Sequence, residues 1–77
     1  MNVDKSYKIA LLSAFQSGAE CVANPGHEDC GSYAGRENFA FYCEVENFND
    51  LPKEKQKAFW EQWRLGMAAE RKAIRGE

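Results

Sequence analysis

Tyr7, Leu11, Phe15, Gly18 or Ala19, and Val22 recur every three or four residues, and Phe59, Trp63, Met67 and Ile74 do the same near the other end of the chain. Side chains at that interval fall on one face of an α-helix, which predicts an amphipathic helix at each end. The first is expected over Asp4–Ala23, with Asp4 or Ser6 as N-cap. Asn24-Pro25-Gly26 ends it, because proline lacks an amide donor and disfavours helical geometry at the residue before it. The second is expected over Leu51–Arg75, with Asp50 as cap, Pro52 in the first turn and Gly76 as the stop. Neither apolar face can be left in water, so the two helices are predicted to cover each other as an antiparallel hairpin.

The connector is less decided. Residues 24–38 read as loop, with Gly26, Gly31 and Gly35 supplying backbone freedom. From Asn38 to Val45, Phe39, Phe41, Cys43 and Val45 alternate as in a strand, while Phe39, Tyr42, Cys43 and Glu46 fit a short helix. A lone strand would leave its ladder groups unpaired, so the helix is preferred. The expected fold is all-α: one domain, residues 1–77, an antiparallel helical hairpin whose long connector holds a short third helix.

At 77 residues the chain has material for one modest core and little for a deep, dehydrated cleft, which argues against elaborate catalysis. No Gly-x-x-x-x-Gly-Lys loop occurs, and the one histidine, His27, lies near Cys30 with no orienting third group. Cys21, His27, Cys30 and Cys43 have the chemistry of a structural zinc site, but without a Cys-x-x-Cys clamp. The favoured reading is that Cys21 and Cys43 are small buried residues and His27 a loop residue, with no metal or cofactor. An odd count of three cysteines fits a reducing compartment. Ser13 interrupts the apolar stretch after Lys5 and Lys8, and Glu20 precedes Cys21, so no cleaved leader is expected. No segment approaches membrane-spanning length, and a cytoplasmic protein is expected.

Charge divides the chain. Residues 21–50 carry Glu28, Asp29, Glu37, Glu44, Glu46 and Asp50 against Arg36, while residues 51–77 carry seven Lys or Arg against four Glu. Trp60 and Trp63 lie on neighbouring faces of the second helix. The simplest reading buries Trp63 with Trp60 covering its edge; the sharper one makes Trp60 an aromatic anchor flanked by Lys57 and Arg64, suited to a protein hot spot or an unpaired base. A stripe of Tyr7, Leu12 and Trp60 is a candidate homodimer surface.

The run Phe59-Trp60-Glu61-Gln62-Trp63-Arg64-Leu65-Gly66-Met67-Ala68 resembles the second-helix signature of the ribosome modulation factor family. Ala14-Phe15-Gln16-Ser17-Gly18 resembles its first-helix Tyr-Gln-Ala-Gly element, and the loop with Asn24-Pro25 or Cys30 and Tyr33 falls near its Asn-Pro-Tyr or Cys-Pro-Tyr turn. The resemblance covers about half of the chain. It implies two helices joined by a linker and binding to the small ribosomal subunit, with Phe15, Gly18, Phe59, Trp63 and Met67 at packing positions and Arg64 at a position that faces RNA. This chain departs from the family in lacking its basic N-terminus, in its longer connector and in its acidic net charge of −2.

Two functions follow as expectations, neither of them involving a small-molecule substrate or a membrane. One is a regulator that docks on the ribosome or RNA through Lys53, Lys57, Trp60, Arg64, Arg71, Lys72 and Arg75. The other is a protein-binding inhibitor or modulator, of the kind phages and mobile elements use against host machinery. Its acidic face of Glu28, Asp29, Glu37, Glu44, Glu46 and Asp50 would meet a basic surface.

Overall fold

The computed structural model describes residues 2–24 and 32–76, with side chains from residue 6 onward. The described residues form three α-helices, α1 (Asn2–Ala23), α2 (Ser32–Tyr42) and α3 (Lys53–Arg75), with a 3₁₀ turn at Phe48–Asp50 before α3. The all-α expectation holds, and the connector does contain a helix.

That helix begins earlier than the sequence suggested, inside the stretch read as loop. In the sequence Gly35 reads as a loop glycine. It is instead a buried position where α2 crosses α1, and a Cβ there would come within 2.9 Å of the Ser17 side chain and 3.5 Å of the Phe59 ring. Helix propensity is given up at Gly35 to let two helices approach.

α2 leaves its last turn through a Schellman motif. The Val45 amide donates to the Ala40 carbonyl at 3.0 Å and the Glu44 amide to Phe41 at 3.0 Å, with Glu44 in the left-handed region at φ 63°. At the start of α3, Pro52 occupies the cap position itself, with Asp50 in the 3₁₀ turn, so Asp50 is not the cap. The Gln56 side-chain amide donates instead to the Leu51 carbonyl at 2.9 Å, tying the first turn of α3 to the segment before it. Asp4 and Ser6 fall inside α1, which starts two residues before Asp4. Gly76 ends α3 as expected, at φ 79°.

The antiparallel relation holds between α1 and α2. Gly35 meets Ser17 of α1, whereas Phe39 meets Tyr7 with ring centroids 6.3 Å apart, so α2 runs back along α1. Phe39 also meets Phe59 (5.3 Å), and Arg36 lies over Trp60, so α2 and α3 meet through these side chains. With a helix inserted between them, α1 and α3 point the same way. Tyr7 packs near Lys55 at one end of the pair, and Gly18 packs on Trp63 further along. An antiparallel pair would hold the first two roughly 30 Å apart. The predicted hairpin of the two long helices is therefore corrected to an up-down-up bundle.

Where α1 and α3 cross, their backbones touch. A Cβ on Gly18 would land on the Trp63 carbonyl oxygen, and one on Gly66 would land on the Phe15 carbonyl oxygen. The core lies to one side of this crossing. Phe39 and Phe59 are its fully buried large side chains, Ala10, Ala14 and Leu51 fill in around them, and Tyr7, Tyr42, Phe48, Trp60 and Trp63 close the rim. Full burial of each phenylalanine stabilises the fold by about 1.5–3 kcal/mol. The 11-residue α2 covers only part of the two longer helices. Molecular extents of 38 × 27 × 17 Å match a two-layer arrangement, α2 lying on one face of the α1–α3 pair.

Candidate nucleic-acid interface

The basic side chains of α3 are arranged more regularly than their interspersed sequence suggested. At about 100° per residue, Lys53, Lys57, Arg64, Arg71 and Arg75 fall within an arc of roughly 40°. All five are exposed, and their arc lies opposite the side that buries Phe59 and Gly66. The stripe runs about 33 Å along the helix. Glu54, Glu61 and Lys72 stand some 60–80° to one side and Glu70 about 120° to the other, so the acids of α3 flank this line without interrupting it. Arg71 and Arg75 ride on the last turns, where every residue from Arg71 to Gly76 is exposed.

Trp60 borders the stripe on the other side, towards α2. It is half-buried, its ring packed edge-on against Phe59 at 4.8 Å, Trp63 at 5.5 Å and Phe48 at 6.4 Å. Trp63 is likewise only half-buried, so the place reserved for a buried tryptophan is taken by Phe59 with Phe39. The Trp63 indole nitrogen is buried with no hydrogen-bond partner. Arg36 of α2 joins this edge: its guanidinium lies 5.9 Å from the centroids of both Tyr33 and Trp60, and its Nε donates to the Ser32 carbonyl at 3.2 Å. Nothing in the spacing of Arg36 along the sequence connects it to Trp60, a helix away, so its place at this edge is visible only in the fold.

Between α2 and the turn before α3 lies a cleft of about 140 Å³. Tyr33, Arg36 and Glu37 form its α2 side, and Glu46 through Asn49 form the other.

The acidic residues do not make one face. Glu37, Glu44, Glu46 and Asp50 are all exposed, but Glu37 lines the cleft beside Arg36, Glu44 flanks Phe41 with Glu46, and Asp50 belongs to the 3₁₀ turn. Glu28 and Asp29 lie outside the described residues. Phe41, 74% exposed, is stacked edge-on to Tyr42 at 5.5 Å and is the most exposed large apolar side chain of the described core-forming helices.

The zinc constellation comes apart. Cys21 is buried near the end of α1, whereas Cys43 follows α2 and packs beside Tyr7 near the start of α1. Fourteen residues of helix, about 21 Å, separate those two ends, so Cys21 and Cys43 cannot ligate one ion. His27 and Cys30 lie outside the described residues, and among the described residues no cluster of three or more metal-ligating side chains occurs. Burial pushes the Cys43 thiol above its ordinary range, with Lys55 opposing. Burial also raises the Tyr7 phenol, with the negative charges of Cys43, Glu54 and Glu61 adding to the effect. The proposed homodimer stripe is not a stripe either. Tyr7 and Trp60 pack against the core, while Leu12, 63% exposed, points roughly 140° away from Tyr7 around α1.

No family model, no curated protein and no solved structure matches this chain. Among the described residues no helix is long and apolar enough to cross a membrane.

Proposed function

We propose that the chain is a non-enzymatic regulatory protein that docks α3 on folded RNA, ribosomal RNA in keeping with its resemblance to the ribosome modulation factor family. The observation that carries this reading is the stripe of Lys53, Lys57, Arg64, Arg71 and Arg75, with Lys72 at its edge and Trp60 beside it. A line of cations on a convex helix face meets successive phosphates, whereas an acidic net charge elsewhere holds the rest of the molecule off the backbone. The Phe59, Gly66 and Gly18 positions would then serve RNA binding only indirectly, by fixing the helix that bears the stripe.

Salt tests it. Five phosphate contacts predict that binding to ribosomal RNA weakens about a hundredfold or more between 50 and 200 mM salt. Arg64→Glu with Lys72→Glu should abolish binding while leaving the helical circular dichroism unchanged. Full binding by that double variant would sink the reading.

A second reading has one observation in its favour: exposed Phe41 is bordered by Glu44 and Glu46, an aromatic anchor in an acidic rim. That arrangement suits an inhibitor or modulator of a protein with a basic surface, of the phage or mobile-element kind. Replacing Glu44, Glu46 and Asp50 by Lys should then destroy capture of a protein partner from nuclease-treated extract, and retained capture would remove this alternative.

A further inference from the structure

We propose that the cleft between α2 and the turn before α3 is a site for one unpaired guanine base. The inference deepens the RNA reading above and rests on it for the polymer, though not for the base.

Size is the first argument. A cleft of about 140 Å³ is well below the roughly 300–1,000 Å³ of sites for drug-sized ligands, which leaves room for a single planar heterocycle. The second argument is the pairing of charges inside it. Arg36 brings a guanidinium whose Nε donates to the Ser32 carbonyl at 3.2 Å, which leaves the two Nη groups as the fork for a base. Glu37 and Glu46 bring carboxylates to the same cleft. Guanine offers two acceptors, N7 and O6, that match an arginine fork, and two donors, N1–H and N2–H₂, that match a carboxylate. Adenine, cytosine and uracil do not carry both of those paired sets. A carboxylate close to a phosphate-binding stripe repels the RNA backbone, and a base with donors to spare gives it a partner.

The surroundings suit a base as well. Tyr33, 59% exposed, provides a ring at the mouth on which an unstacked base can lie. Phe48 backs the cleft and is held by Phe59 at 5.1 Å and Phe39 at 6.2 Å, so that wall is part of the core. The position relative to the stripe fits a nucleotide too. Arg36 stands over Trp60, and Lys57 and Arg64 lie one helical turn to either side of Trp60. A base in the cleft therefore directs its flanking phosphates towards those two cations.

The test uses the full chain and the four nucleoside 5′-monophosphates. Each is titrated into ¹⁵N-labelled protein while the Trp60 indole and the Asn47 and Asn49 side-chain amides are followed by NMR. Guanosine monophosphate should shift these signals saturably and bind roughly tenfold or more tighter than the other three, the size of one bidentate base contact. Glu37→Gln with Glu46→Gln should erase that preference at unchanged helicity. Equal responses to all four nucleotides, or no response to guanosine monophosphate, would overturn the proposal. If that happens while RNA binding keeps its steep salt dependence, the cleft alone is wrong. If guanine binds but Arg64→Glu with Lys72→Glu leaves RNA binding intact, the RNA reading falls and the base site stands.

Discussion

Gly18 and Gly66 are where single residues control the architecture. On an exposed helix, glycine to alanine gains about 1 kcal/mol of helix propensity. Here the added methyl would meet a backbone carbonyl of the facing helix, which cannot swing aside as a side-chain tip can. Gly66→Ala is expected to lose about 2–3 kcal/mol by urea denaturation, the range for forcing extra volume into a packed interior. Glu44 is the opposite case. It holds a left-handed conformation that suits glycine, it is exposed, and no packing depends on its side chain. Glu44→Gly should raise stability by about 0.5–1 kcal/mol in the same assay, the relief of backbone strain exceeding glycine's larger unfolded-state entropy. Trp63 retains a buried indole N–H with no partner, and nothing in the surrounding contacts accounts for it.

The elements show which sequence signals were sufficient and which were not. α1 and α3 were legible to within a few residues because Tyr7, Leu11 and Phe15, and Phe59 and Trp63, carry the helical interval over several turns. α2 was half legible: Phe39 and Tyr42 marked its second half, but Gly35 looked like a loop residue because the Ser17 side chain it accommodates lies in another helix. The direction of α3 relative to α1 followed from that omission, since an unrecognised helix reverses the course of the chain once more. At the site, the α3 cations could be named from sequence. Arg36 and the cleft beside it could not, because they exist only after α2 is laid against α3. The junction of all three helices near Tyr7, Cys43 and Lys55 also has its own pH response. Lys55 Nζ lies 5.2 Å from the Tyr7 ring centroid, and both the phenol and the Cys43 thiol resist ionisation in the folded state. Their folded pKa values are raised, so the unfolded chain releases these protons first. The stability they contribute is complete below their ordinary values of 9.0 and 10.0 and is lost as pH rises beyond these through the higher folded values. Denaturation midpoints should fall from about pH 9 upward, and Cys43→Ala should remove the earlier part of the decline.

For the molecule as a whole, the described acidic residues of the middle segment are spread over α2 and the turns after it, whereas the cations of α3 fall on one line. α2 and its turn bring the carboxylates, and α3 brings a cationic line that their placement leaves uncovered. α2 packs on α1 beside the aromatic cluster of Phe39 and Phe59, whereas α3 has no buried residue from Arg71 onward. Beyond the crossing at Gly18 and Gly66, α3 continues to Arg75, and every residue from Arg71 to Gly76 is exposed. Amide protons there have little burial to protect them and would exchange well before those near the aromatic cluster. Arg71 and Arg75 thus sit on a probe that can adjust to the contour it meets, while Lys53, Lys57 and Arg64 hold a fixed ruler against it.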